Sequence, residues 1–321
     1  MTLTRVEGRL AEPSIAIHGG AGTIPASALD AGGAEEYHAA LRLVLEAGWE
    51  VLSKGGRALD AVTAAVMRLE DDALFNAAHG AVFTAAGTLE MDAAVMCGRV
   101  RDAGAVAGIC GPRNPILGAR AVLERSGTVL MMGRGAEEFL RGEGLVFMPP
   151  EYFMTQRRRD ALQLELHRRA VGAPDTRSDA DRHGTVGAVA RDVFGDLAAG
   201  TSTGGITAKR PGRVGDTPVF GAGTYADNDT CAVSATGTGE VFIRFTAAAE
   251  IAARMRCGGQ SLEVAANDVV AELLRHGGDG GLIAIGAVGL PVMPFNSAGM
   301  YRGFIGPDGI AHTAIYREAF R

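Results

Sequence analysis

The chain predicts an α/β fold of the α+β kind, in which mainly antiparallel sheets are covered by helices. Three observations carry that expectation. Strand-like apolar segments come in runs separated by short turns, helical periodicities come in pairs between those runs, and no segment recurs at a fixed period. A βαβ alternation or a repeat array would show the opposite pattern. The 321 residues suffice for one large or two small domains, and 47 % apolar content allows a sizeable core.

The elements follow in order. Ser14–His18 is a short apolar strand that stops at Gly19-Gly20-Ala21-Gly22. Residues 34–54 read as a helix, because Tyr37, Leu41, Val44, Leu45 and Leu52 recur at helical spacing and Gly55-Gly56 ends the pattern. A second helix covers Ala58–Leu69, and Glu70–Gly80 has the periodicity of neither element. Ala81–Thr84, Leu89–Met96 and Ala103–Gly108 read as strands. A Pro-bracketed turn at Gly111–Pro115 opens a helix through Leu123, followed by a strand at Val129–Met132.

The segment from about 155 to 184 differs in character. Arg158–Arg169 reads as a helix, with Arg157-Arg158-Arg159 and Arg168-Arg169 as a solvated charged face. From Gly172 onward Pro174, Asp175, Asp179 and Asp181 stand in a stretch without apolar periodicity, the composition of a mobile linker where proteolysis concentrates.

After this linker the period becomes two. Val186–Ala190 and Leu197–Thr201 form a hairpin, and a loop at Val193–Gly195 sets a register that puts Thr185 opposite Thr203. Val219–Gly221 and Thr230–Ser234 read as strands, Glu240–Cys257 as one helix stopped by Gly258-Gly259, and Ser261–Leu274 as another. Strands at Gly281–Val288, Val292–Phe295 and Ala311–Tyr316 complete the chain.

The totals exclude several classes. A net charge of −6 argues against a general nucleic-acid binder, which needs a basic surface. Cys97, Cys110, Cys231 and Cys257 are scattered with no zinc-like spacing, and Cys97 and Cys231 read as small core residues. No apolar run is long enough to cross a bilayer, and Met1–Pro13 lacks the apolar core of a signal peptide. The expectation is a soluble, reduced, cytoplasmic protein that binds neither nucleic acid nor membrane.

The chemistry concentrates at His183-Gly184-Thr185-Val186-Gly187. A cut between Gly184 and Thr185 would leave a hydroxyl and a free α-amine on one residue. Such an amine has a pKa near ~7.7–8.0 and takes the hydroxyl proton near neutral pH, so neither a histidine nor a metal is needed. Three Gly-rich segments could instead hold phosphate: Gly19-Gly20-Ala21-Gly22, Thr203-Gly204-Gly205 and Thr236-Gly237-Thr238-Gly239-Glu240. None matches a dinucleotide or P-loop fingerprint, and tight turns explain the first two. In the third, N–H groups ahead of a helix suit an oxyanion hole, while capping by Thr238 accounts for the sequence equally well. In Lys209–Pro218, Arg213 and Asp216 could take the carboxylate and ammonium of an amino acid, or form a plain surface ion pair. His18 and His79 read as hydrogen-bonded structural residues, and no Ser–His–Asp triad is supported.

Together these segments resemble the plant-type (class 2) L-asparaginase and isoaspartyl peptidase family of N-terminal nucleophile hydrolases. The resemblance runs from His18–Gly22 through Leu74–Ala77, Arg113–Pro115 and His183–Val189. It continues in Thr201–Gly205, Pro211–Asp216, Thr236–Glu240 and Pro294–Asn296. It implies a four-layer αββα sandwich and a single domain, 1–321, made as a precursor that cuts itself before Thr185. The α piece is then 1–184 and the β piece 185–321, pairing as an (αβ)₂ dimer. Thr185 is implied as nucleophile, Thr203 as its orienting partner, and Thr236 with the N–H of Gly237 as oxyanion hole. Arg213 is implied to clasp the substrate α-carboxylate, Asp216 and the Gly239 carbonyl its α-ammonium, and Asn76 to lie beside the nucleophile. No catalytic cofactor is implied. A structural sodium ion is, held by backbone carbonyls within the loop Leu69–His79, at Leu69, Glu70, Asp72, Phe75, Ala77 and His79. The family pattern usually has Gly after Phe-Asn-Ala, where this chain has Ala78, which bears on that loop. The implied reaction is hydrolysis of L-asparagine or a β-aspartyl dipeptide, releasing aspartate. Its rivals are glycosylasparaginase, which typically carries Asp where Gly184 stands, and a non-catalytic amino-acid-binding homologue.

Overall fold

A computed structural model of the chain describes residues 11–22, 31–173 and 184–321. Residues 174–183 of the expected linker, His183 among them, therefore lie outside the described residues, while Gly184 and Thr185 lie within them.

Two sheets stack face to face. The larger contains β1 (Ser14–Gly22), β2 (Met91–Cys97), β3 (Ala103–Ile109), β4 (Leu130–Met132), β5 (Val186–Arg191), β6 (Leu197–Thr203), β10 (Gly299–Ile305) and β11 (Ala311–Ala314). Its spatial order is β11-β10-β1-β5-β6-β2-β3-β4, antiparallel throughout except for β3 with β4. The smaller sheet is the antiparallel set β7 (Thr224–Ala226), β8 (Cys231–Gly237) and β9 (Gly280–Gly286). Helices α1 (Ala31–Ser53), α2 (Ala58–Glu70) and α3 (Pro115–Arg125) cover the outer face of the large sheet. Three more, α7 (Gly239–Phe245), α8 (Ala247–Gly258) and α9 (Leu262–Arg275), lie on the small sheet's side, where α8 and α9 pack on its outer face. Between α3 and β5 come α4 (Gly133–Gly142), α5 (Pro150–Phe153) and α6 (Gln156–Ala170).

The result is the four-layer αββα sandwich. Sheets buried on both faces need apolar residues on both, and β1 shows how the alternation is spent. Ile15 and Ile17 join the core under the helices, while Ala16 joins the core between the sheets. No helix among the described residues is long and apolar enough to cross a membrane.

Several expectations need correction. Ala81–Thr84, Val219–Gly221 and Val292–Phe295 are not strands; each holds only isolated bridges at Thr84, Phe220, Val292 and Phe295. Short apolar runs satisfy burial without a ladder. The single helix expected at Glu240–Cys257 is two, broken at Thr246, whose φ of 45° is left-handed. Apolar periodicity continues across the break and hides it. The arginines of α6 are a solvated face only in part: Arg157, Arg159 and Arg169 are exposed. Arg158 is buried and its Nε donates to the Gly80 carbonyl at 2.7 Å, while Arg168 and Arg169 both clasp the buried Glu165 carboxylate. The helix thus braces the loop after α2.

Ala78 holds the left-handed conformation usually given to Gly, at φ 42°, and is fully buried. Three terms oppose each other at this position. Left-handed backbone costs a non-Gly residue about 1–2 kcal/mol, the buried methyl returns about 0.8 kcal/mol, and Gly adds about 0.5–1 kcal/mol of chain entropy. Ala78→Gly is therefore expected to lie within about 1 kcal/mol of the parent in urea unfolding. Ala78→Val adds branching at positive φ and overpacks, and is expected to lose about 2 kcal/mol or more.

Candidate active site

The hairpin register fixes the centre. Val186 pairs with Ser202 and Gly187 with Thr201, so Thr185, one residue before β5, stands opposite Thr203 as the turn predicts. Thr185 is buried, and its Oγ1 donates to Thr203 Oγ1 at 3.1 Å. The same Thr203 oxygen accepts the Gly205 N–H at 2.9 Å, which leaves its own proton to be placed elsewhere. Asn76 closes the side. Its Nδ2 donates to the Gly205 carbonyl at 2.7 Å, its Oδ1 accepts from Val82 N at 3.0 Å, and its carbonyl accepts from Gly204 N at 3.1 Å. Gly184 rests against Asn76 and Gly20, and the small cavity beside it is also lined by Arg157 and Tyr301.

Thr236 and Gly237 end β8, paired with Gly281 and Gly280, rather than standing in a loop. Thr236 is buried, with Ala21 N 3.4 Å from its Oγ1. Thr238 is the N-cap residue of α7 but makes no cap bond; its hydroxyl donates to the Asp279 carboxylate instead.

Arg213 and Asp216 converge beside Gly205 and Gly239. A side chain on Gly239 would stand 2.8 Å from Asp216 Oδ1 and 3.0 Å from Arg213 Nη2, so only Gly leaves that space open. The Arg213 Nε and Nη2 donate to Glu240 Oε1 and Oε2, each at 3.0 Å. Arg213 is therefore no plain exposed residue, at 16 % side-chain exposure. Asp216 is buried, and its Oδ2 has no partner among the described residues. Burial pushes its carboxyl up to about 7; Glu240 and Asp92 add to that rise and Arg213 opposes it. An unpartnered buried carboxylate next to a guanidinium is the natural seat for an ammonium group.

Four functional residues escape the sequence reading. Glu240 is visible only as the first turn of a helix, not as the partner of Arg213. Lys209 is buried with its Nζ on the Glu90 carbonyl at 2.8 Å, and Asp92, opposite Thr203 across β2 and β6, offsets its charge. Glu70 was expected to act through its carbonyl, yet its side chain also matters. Its Oε1 accepts from Ser202 Oγ at 2.6 Å and Ile116 N at 2.9 Å, tying the end of α2 to β6 and to the start of α3. Burial pushes the Glu70 carboxyl up to about 8. His18 is a buried structural histidine as expected, lowered to about 3 by burial, and the His79 ring lies edge-on to Tyr152.

Among the described residues no cluster of His, Cys, Asp or Glu side chains is placed to hold a metal. A larger cleft of about 490 Å³, between α3 and residues 143–146, contains none of the groups above.

Comparison with known proteins bears on this constellation. A family model described as Asparaginase matches residues 11–315. The isoaspartyl peptidase of Salmonella typhimurium is 50 % identical over 310 residues, covering 95 % of this chain and 98 % of that protein. The isoaspartyl peptidase of Escherichia coli is also 50 % identical over 310 residues, covering 95 % and 96 %. The human isoaspartyl peptidase/L-asparaginase is 38 % identical over 288 residues, covering 90 % and 91 %.

Proposed function

The chain belongs to the asparaginase family, and from that premise we propose that it is a self-cleaving hydrolase of L-asparagine and β-aspartyl dipeptides, with Thr185 as nucleophile. The observation that carries this reading is the Thr185–Thr203 hydroxyl contact, reached from one side by Asn76 and followed through Gly205 to Arg213.

In the precursor the Thr185 hydroxyl attacks the Gly184 carbonyl. The bond between the Gly184 carbonyl carbon and the Thr185 nitrogen breaks as an ester forms, which frees the Thr185 amine, and water then hydrolyses the ester to the Gly184 carboxylate and the Thr185 hydroxyl. In the processed protein that amine takes the Thr185 proton while Thr203 holds the oxygen in place. Arg213 takes the substrate α-carboxylate, and Asp216 with the Gly239 carbonyl takes its α-ammonium, which presents the side-chain carbonyl to Thr185. Thr236 and the N–H of Gly237 stabilise the oxyanion, a contribution of ~2.7–4 kcal/mol per donor in measured hydrolases. The amine proton goes to the departing ammonia or amino acid, and water hydrolyses the β-aspartyl ester.

The loop Leu69–His79 has the donor chemistry for sodium. Its backbone carbonyls at Leu69, Glu70, Asp72, Phe75, Ala77 and His79 are the hard oxygen donors such an ion takes. Bound there, the ion would stiffen the segment that carries Asn76. Assembly as an (αβ)₂ dimer belongs to the same proposal.

The test is aspartate release from L-asparagine and a β-aspartyl dipeptide, followed against pH. Below about 7 Asp216 is protonated and cannot pair with the substrate ammonium; above it the carboxylate forms. The expected kcat/KM therefore rises with pH through about 7, and Asp216→Asn lowers the rate and leaves only the later rise set by the Thr185 amine, near ~7.7–8.0. A rate that falls across the same interval, or no hydrolysis of either substrate, would contradict the proposal.

A further inference from the structure

A buried acid and a buried base stand beside the site without a part in the proposed chemistry. Asp92 on β2 is the ladder partner of Thr203 on β6, which in turn stands opposite Thr185. Directly opposed residues share one face of a sheet, so nucleophile, partner and acid form one row. Lys209 enters the same region from the loop that carries Arg213 and Asp216. A side chain on Gly205 would stand 3.1 Å from Lys209 Nζ and 3.4 Å from Arg213 Nη1, so the two cations flank one glycine. Asp92 and Lys209 are both buried. The start of β2 pins this loop along its length. Glu90 takes Lys209 Nζ on its carbonyl and the Gly212 N–H on its carboxylate, each at 2.8 Å. Asp92 Oδ1 accepts from Gly108 N at 2.8 Å, and the Gly215 N–H also faces the Asp92 carboxyl. Its Oδ2 has no well-formed hydrogen bond among the described residues.

Charge decides what this arrangement needs. Two cations beside one glycine repel each other, and burial removes the water that would screen them. Arg213 cannot shed its proton, whereas a buried lysine can. Arg213 also has a direct carboxylate partner in Glu240, on its exposed side, while the Lys209 ammonium bonds a carbonyl. Lys209 is therefore the member that needs a counterion. Burial lowers its pKa and Arg213 adds to that fall; Asp92 opposes it most, followed by Glu90 and Cys110. Burial raises the Asp92 carboxyl in turn. Lys209 does most to draw it back to its charged form, with Gly108 N–H, Arg213 and Gly215 N–H behind. Asp92 thus acts on both cations through space, without a direct ion pair to either among the described residues. Its charge also reaches Asp216, whose rise it adds to.

We infer that Asp92 is the buried counterion of the substrate clamp, a positioning residue that keeps Lys209 charged beside Gly205 and so holds Arg213 and Asp216 in line with Thr185. The inference rests on the proposed reading of the site, and its first test needs no activity. Lys54 and Lys209 are the only two lysines of the chain. In protein labelled with carbon-13 at lysine Cε, the Lys209 NMR signal is the one lost in Lys209→Met, and its shift reads the charge. A charged Lys209 is expected at neutral pH in the parent, titrating at lower pH in Asp92→Asn. A neutral Lys209 in the parent, or a titration unmoved by Asp92→Asn, overturns the inference even if the hydrolase reading stands. Were the parent to hydrolyse neither substrate, that reading would fall while the lysine signal still decides the counterion. In processed protein, Asp92→Asn is expected to raise KM for a β-aspartyl dipeptide about tenfold, with a smaller change in kcat. Adding Lys209→Met removes the cation left without a counterion and is expected to recover about threefold of that loss. A KM for Asp92→Asn within about twofold of the parent, or a double variant no better than Asp92→Asn, would equally overturn the inference.

Discussion

Thr185→Ala is expected to leave a full-length chain that never separates into two pieces and releases no aspartate. The two losses share one cause. The hydroxyl that attacks Gly184 in the precursor is the one that attacks substrate afterwards, and Thr203 Oγ1 accepts its hydrogen bond at 3.1 Å. Removing a nucleophile that works as a unit with its base leaves little behind, so the fall in kcat should be at least about 10⁴-fold. Thr185→Ala deletes two small side-chain groups from a buried position, and the β5–β6 ladder is made by backbone groups, so the fold should persist. A melting curve close to the parent's would separate lost chemistry from lost structure. An amino-acid-binding homologue would keep its intact chain and its function through the same change.

Arg213→Ala is expected to raise KM about 100-fold with a smaller effect on kcat. The guanidinium has most of its surface covered and stands against Gly205, Gly215 and Gly239, in space that only small residues leave open. Truncating one partner of a largely desolvated charge pair costs ~2–5 kcal/mol, and the substrate carboxylate would lose a planar, two-pronged partner. The loss has a second part. Without Arg213, Glu240 loses this ion pair and Asp216 loses a positive neighbour that opposes the effect of its burial, so the ammonium seat is weakened as well. Arg213→Lys should fall between, because a point charge cannot make the fork–fork contact. KM values measured on the same processed preparation check both, and an unchanged KM for Arg213→Ala would remove that residue from the site.

The hairpin shows what a sequence can carry. The turn length at Val193–Gly195 and strand alternation place Thr185 against Thr203 to the residue, because register in a tight hairpin is a local property. Antiparallel sheets covered by helices were also legible, from the order of strand runs and helix pairs, while the four-layer stacking was implied only by the family resemblance. The rest was hidden where distant segments meet. Nothing near Glu240 in sequence announces Arg213, which is brought there by packing of the 209–218 loop on α7. Arg158 looked solvated because its helix is rich in charge, yet the carbonyl it serves lies in the loop after α2. Asp92 and Lys209 come from segments far apart in the chain, so their mutual influence has no sequence signature. The break at Thr246 is likewise invisible, because one left-handed residue does not interrupt apolar spacing.

The most direct test of the account is the intact mass of the purified protein under denaturing conditions. The account predicts two species, one ending at Gly184 and one beginning at Thr185. A single full-length species that persists through days of incubation, or a cut at any other bond, would contradict the assignment of Thr185 as the nucleophile.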